Sequence, residues 1–213
     1  MKKILLLISQ GVEILEVSPF IDIFGWNMIV GKKNTSVTTI SIHDIIYCTW
    51  NLKIFPEINL KKESINLDEF DALIIPGGFG KANFFSDMKD KNFQNIIHHF
   101  NEKNKIIIGI CTGVIPLCEA GVLKNRRATT YLLDNERYFS QLKKYGAIPV
   151  KEEVVEDKNI ITCSAPKNAL ETAFLLLKRW TGEENCNIVK KNMGFWYKIL
   201  IFYIKYKKKM KFI

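Results

Sequence analysis

Histidine is scarce in this chain of 213 residues: His43, His98 and His99 are the whole complement, and none lies beyond residue 99. His98 and His99 fall in a polar stretch expected to face solvent, so a Cys–His dyad of the protease type is hard to assemble. No phosphate loop or dinucleotide fingerprint is present. No CxxC, and no Cys/His pair at metal spacing, appears either, so neither a cofactor nor a metal is expected. The five cysteines (48, 111, 118, 163 and 186) are odd in number and irregularly spaced. That excludes a disulfide framework and suits reduced thiols in a cytoplasmic compartment. The apolar opening at residues 4–8 is too short for a signal peptide, and Glu13 and Glu16 follow where a cleavage site would stand. A first buried strand explains it better.

Acidic residues are missing from residues 190–213, which hold eight lysines. Removing those eight from the net charge of +9 leaves +1 for residues 1–189. The body is therefore nearly neutral, and a nucleic-acid-binding domain, which carries its basic patch on a folded face, is not expected. The organisation predicted is a domain over residues 1–182 followed by a basic, apolar tail over 183–213. Aromatic and aliphatic residues from 195 to 206, then Lys207, Lys208 and Lys209, suit a weak interfacial contact with anionic lipid rather than a transmembrane span.

Apolar runs of strand length recur at 4–8, 37–42, 72–75, 105–110 and 160–163. Several are continuous, as in strands covered on both faces. Helical stretches alternate with them at 14–30, 92–104, 114–120, 135–145 and 168–180. This alternation predicts an α/β sandwich around a mostly parallel sheet. Residues 48–55 and 154–163 read as smaller antiparallel additions. In such sheets ligands sit beyond the carboxyl ends of the strands. Three loops fall there: Ser9 to Glu13, Pro76 to Gly80, and Gly109 to Gly113.

The last loop, Gly109-Ile110-Cys111-Thr112-Gly113, carries the sharpest chemical signal. A glycine two places on either side of a nucleophilic residue, at a strand-to-helix turn, is the pattern of a nucleophile elbow. Helix N-terminal amides there would favour a Cys111 thiolate. Cys118, seven residues on, reads as core, and Cys48, Cys163 and Cys186 carry no motif. The N–H groups of Gly78 and Thr112 are placed to form an oxyanion hole; the plain alternative for Pro76-Gly77-Gly78 is a strand-ending turn. An acid near Cys111 would have its pKa raised by burial and could shuttle a proton. On the residues alone Glu13 and Glu16 stand level, beside the reading of an ordinary exposed first-turn glutamate.

Gly11 to Glu16, Asp71 to Gly78, Gly109 to Gly113, and Ala120 to Leu123 with Arg127-Ala128-Thr129-Thr130 together resemble the ThiJ/PfpI superfamily, over about residues 2–182. That superfamily includes the parkinsonism-associated protein deglycase and class I glutamine amidotransferase-like domains. The resemblance implies a flavodoxin-like three-layer sandwich, an elbow cysteine and a homodimer. It makes Cys111 the reactive cysteine, Glu16 the acid bonded to it, and Gly78 and Thr112 the oxyanion-hole residues. Members acting on glyoxals carry histidine after the Thr-Thr pair, where this chain has Tyr131. Protease-like members carry it directly after the cysteine, where Thr112 stands.

Three readings follow from that resemblance. The first is a cysteine enzyme of glyoxalase or deglycase type, in which Cys111 adds to a small electrophile and Tyr131 orients the adduct. The second is a redox or stress sensor using an oxidisable Cys111. The third is a protein of 4-methyl-5-(β-hydroxyethyl)thiazole monophosphate biosynthesis, the label carried by close relatives. Proteolysis ranks last.

Overall fold

The computed structural model describes residues 1–195. The first strand, β1 (Lys2–Leu7), shows why the sheet lies between two layers. Ile4 and Leu6, with Ile8 just beyond, pack into one apolar cluster, and Leu5 and Leu7 pack into another on the opposite face. Successive strand side chains point to opposite faces, so a continuous apolar run requires cover on both.

The remaining strands are β2 (Thr35–Ser41), β3 (Ile46–Tyr47), β4 (Lys53–Ile54), β5 (Ile58–Asn59), β6 (Ala72–Ile75), β7 (Ile106–Ile110), β8 (Arg127–Ala128), β9 (Ile148–Pro149), β10 (Val154–Asp157) and β11 (Ile160–Cys163). The helices are α1 (Ile14–Val30), α2 (Phe84–Met88), α3 (Lys91–Glu102), α4 (Ile115–Glu119), α5 (Phe139–Lys144), α6 (Asn168–Thr181) and α7 (Glu183–Asn192). Seven strands form the main sheet in the order β10-β11-β7-β6-β1-β2-β5. All neighbours are parallel except β10 against β11. Val17, Phe20 and Phe24 of α1 and Ala173 and Leu177 of α6 cover one face; Phe93, Ile97 and Phe100 of α3 cover the other. The architecture is the expected three-layer α/β sandwich.

The chain runs from β1 to β2 on one side and returns to β6 on the other, so the strand order reverses between β1 and β6. A crevice opens at such a switch point. The loops after β1, β6 and β7 meet there because these strands are adjacent. The first two are tied directly: Glu13 N–H donates to Gly77 O and Phe79 N–H to Gly11 O, at 2.9 and 3.0 Å.

Beyond the expected boundary at residue 182, α7 packs back on the body, burying Cys186 and Val189, and Asn185 donates to Asn27 Oδ1 at 2.8 Å. One sequence expectation needs correction. The helix expected over 135–145 begins only at Phe139. Asp134, Asn135 and Glu136 all have φ between +53° and +60°, which a right-handed helix cannot contain. The antiparallel addition expected over 154–163 is the pairing of β10 with β11; it joins the main sheet, with β11 parallel to β7 and β10 at the edge. The lipid contact expected of the tail lies outside the described residues; within them no helix is long and apolar enough to cross a membrane.

Candidate active site

Cys111 follows the last residue of β7 and opens a 3-10 turn, Cys111–Val114, that leads into α4. Its φ is +53°, the left-handed region that costs a side-chain-bearing residue about 1–2 kcal/mol. The flanking glycines explain how the turn stays so tight. A Cβ on Gly113 would lie 2.2 Å from the carbonyl oxygen of Ile75 at the end of β6. One on Gly109 would lie 2.9 Å from Leu117 in α4. Thr130 fixes the strained unit from below, its hydroxyl donating to Cys111 O at 2.6 Å. That role was missed in the sequence, although Thr130 belongs to one of the shared motifs.

Glu16, in the first turn of α1, is 1% exposed. It accepts a hydrogen bond from Gly77 N–H and is hydrogen-bonded to the Cys111 side chain. Burial pushes its carboxyl up to about 8, against the smaller opposing effects of the Gly77 N–H and Cys111, with Glu13 nearby adding to the rise. Glu13 is placed otherwise. It lines the same cavity, but its Oε2 accepts from Trp50 Nε1 at 3.1 Å. The geometry thus separates the two glutamates that the residues alone left level.

The Cys111 thiol is also pushed up, first by burial and then by the charge of an ionised Glu16. Thr112, through its backbone N–H and hydroxyl, opposes this with smaller effect. The expected helix-terminus thiolate is corrected here. Only a 3-10 turn and a helix of five residues follow the cysteine, and desolvation outweighs their amides. Carboxyl and thiol form one coupled unit whose protons belong to the pair.

Gly78 and Thr112 are brought together, but in a different role from the one expected. The Gly78 N–H donates to Thr112 Oγ1 at 2.9 Å, and that hydroxyl donates to Gly78 O at 2.8 Å. The Gly78 amide is thereby spent within the turn. Tyr131 is half-buried and lines the cavity with Cys111. The cavity, about 880 Å³, is also walled by Phe79, Phe85, Tyr138 and Pro166, with Lys81, Asp134 and Arg137 among its lining residues. Tyr138 and Phe85 sit outside every motif, and only the fold brings them here. Cys111 is 7% exposed at this cavity. The other four cysteines are buried away from it. Among the described residues, no three His, Cys, Asp or Glu side chains are grouped to hold a metal ion.

A strained cysteine at the end of a parallel strand, joined to a buried carboxyl on the helix that follows β1, defines a class of elbow-cysteine proteins on a flavodoxin-like scaffold. A family model described as the DJ-1/PfpI family matches residues 2–179. The chain belongs to the DJ-1/PfpI family. It is 30% identical over 120 residues to an isonitrile hydratase of Pseudomonas putida, covering 56% of this chain and 50% of that protein. It is 32% identical over 110 residues to the deglycase PfpI of Pyrococcus furiosus, covering 52% and 62%. The chain spans about half the length of the curated relatives it matches first. Its fold is similar to the crystal structure of Drosophila melanogaster DJ-1beta, with a TM-score of 0.74 and 22% identity over 90% of this chain and 97% of that one.

Proposed function

We propose that this protein is a cysteine-dependent enzyme whose Cys111 sulfur adds to a small electrophilic carbon, of the reactive-carbonyl type handled by a glyoxalase or deglycase. The observation that carries this is the hydrogen-bonded Cys111–Glu16 pair at the floor of an 880 Å³ cavity. A thiol and a carboxyl that share protons can attack and protonate in one step. The reactive form is the pair with one proton removed, which Glu16 sets near pH 8. Sulfur attacks the aldehyde carbon of a glyoxal, and the carboxyl gives its proton to the carbonyl oxygen. The product is a hemithioacetal beside a Glu16 carboxylate. That carboxylate can next take the C–H proton and return it to the adjoining carbon, and water then releases a hydroxy acid and the thiol. Methylglyoxal in and lactate out is the test: absence of lactate, or full turnover by Cys111→Ser, would overturn the proposal.

A second reading is hydration of an isonitrile, the activity named in the Pseudomonas relative. What favours it is that both members of the pair hold protons at neutral pH. Adding S–H across the isonitrile carbon calls for that proton, and water then yields the formamide. Use of Cys111 as a redox sensor is less favoured, because a buried thiol pushed upward is slow to oxidise.

The protein also pairs with a second copy through α1 in this proposal. Leu15, Trp26 and Ile29 are exposed on one side of α1, with Asp22 among them, Ile29 being 68% exposed. Gly25 stands within that face and a Cβ there would meet nothing, so the fold of one chain does not require it. A mid-helix glycine costs about 1 kcal/mol, which a close helix–helix approach would explain.

A further inference from the structure

The backbone N–H groups of Gly77, Gly78 and Phe79, in the turn after β6, already have acceptors. Gly77 donates to Glu16, Gly78 to Thr112 Oγ1, and Phe79 to Gly11 O. The Thr112 N–H is engaged with the Cys111 sulfur. An oxygen that turns negative as sulfur adds to its carbon therefore finds none of these four amides unspent. Addition nevertheless needs a donor where charge develops, and such donors are worth most when they are fixed beforehand.

Two phenols line the same cavity as Cys111. The rings of Tyr131 and Tyr138 are 6.4 Å apart and tilted by 60°. Tyr138 is held firmly. It stacks on Phe85 at 5.7 Å with 28° between planes, and the Arg137 guanidinium lies 5.5 Å from its ring centroid. No hydrogen bond occupies its O–H among the described residues. Burial raises its phenol, outweighing Arg137, and negative charge on Cys111 raises it further. It thus keeps its proton while the sulfur reacts.

We propose that Tyr138 is a further catalytic residue, whose phenolic O–H, beside Tyr131, donates to the substrate oxygen that becomes negative during thiol addition. This rests on the thiol-addition reading above. In the step, the S–C bond forms and the C=O π pair moves to oxygen. The proton lost from the pair reaches that oxygen through Glu16, and the phenol retains its own. The phenols thereby replace the Gly78 amide, which this chain has committed to Thr112.

Tyr138→Phe removes the O–H and keeps the ring in its stack. The probe is phenyl trifluoromethyl ketone, whose reversible thiol adduct is followed by 19F NMR titration of the full-length protein. Wild type is expected to form the adduct and Cys111→Ser to form none. Tyr138→Phe should weaken the adduct at least tenfold and lower kcat for methylglyoxal about 100-fold with KM within about threefold. An adduct matched by Tyr138→Phe within about threefold overturns the role of Tyr138 and leaves thiol addition standing. No adduct in wild type overturns both.

Discussion

Replacing Glu16 with glutamine should change how stability depends on pH more than any other single substitution in this molecule. The carboxyl is held at about 8 against an ordinary value of 4.5, and burial is the main cause. In the unfolded chain the group loses its proton as pH passes about 4.5; in the folded chain it keeps that proton to about 8. Between these values the folded state binds one proton more than the unfolded state, so stability falls as pH rises. Each pH unit is worth about 1.4 kcal/mol, and the three and a half units between them amount to about 5 kcal/mol. Below pH 4.5 both states are protonated and the effect vanishes; above 8 it is constant. Glutamine keeps an acceptor for the Gly77 N–H and has no charge to bury. Urea denaturation of both proteins at pH 5, 6, 7 and 8 isolates the Glu16–Cys111 unit, because the titrations outside it are common to the two proteins. The advantage of Glu16→Gln should grow by about 1 kcal/mol or more per unit across that window. Profiles that remain parallel would refute the claim that Glu16 is buried as a neutral acid.

Catalysis should follow the same proton with the opposite benefit: kcat/KM for methylglyoxal should rise with pH to a plateau above about 8, and stopped kinetics of Glu16→Gln should lack that limb. Gly113→Ala places a methyl 2.2 Å from Ile75 O, and a loss of about 3 kcal/mol or more is expected in urea melts; a loss under about 1 kcal/mol would show that the elbow is not held by this approach. A chain ending at Thr181 loses the packing of Cys186 and Val189 and the Asn185 bond to Asn27, so its urea midpoint should drop by the equivalent of about 3 kcal/mol. Phenylglyoxal should exceed methylglyoxal in kcat/KM by at least about tenfold, since Phe79, Phe85 and Tyr138 offer apolar walls that a three-carbon dicarbonyl leaves uncovered; equal values would remove those rings from substrate contact.

The elements legible in the sequence were those with one dominant cause. Residues 72–75 are apolar throughout, residues 160–163 carry one threonine among apolar neighbours, and buried strands stand at both sets of bounds. The α1 span also agrees with its reading. Where two causes competed, the reading slipped. Residues 135–138 have helical composition, yet three successive left-handed residues precede α5 and place Tyr138 on the cavity wall instead. In the lysine-rich stretch after 182, Cys186 and Val189 are spaced to bury one stripe of α7, a pattern the charge on the other face hides. Motif spacing brought Gly78, Thr112, Cys111 and Glu16 to one place, because each follows or precedes a strand of the same sheet.

Spacing does not say where protons sit, and here that decides the chemistry. A helix terminus favours a thiolate by aligned amides, an effect of about 0.3–1 kcal/mol at an exposed site. Burying an ion costs several kcal/mol before compensation. At Cys111 the second effect is larger, because the sulfur lies against a carboxyl that is itself desolvated and because the Gly77 and Gly78 amides are committed elsewhere. A left-handed cysteine and two flanking glycines are therefore compatible with a nucleophile that is neutral at rest. In the proposed reaction such a site becomes reactive as the pair loses its first proton, near pH 8. In that reaction the elbow supplies position, Glu16 supplies the proton, and addition calls for a donor to the oxygen on the cavity's other wall.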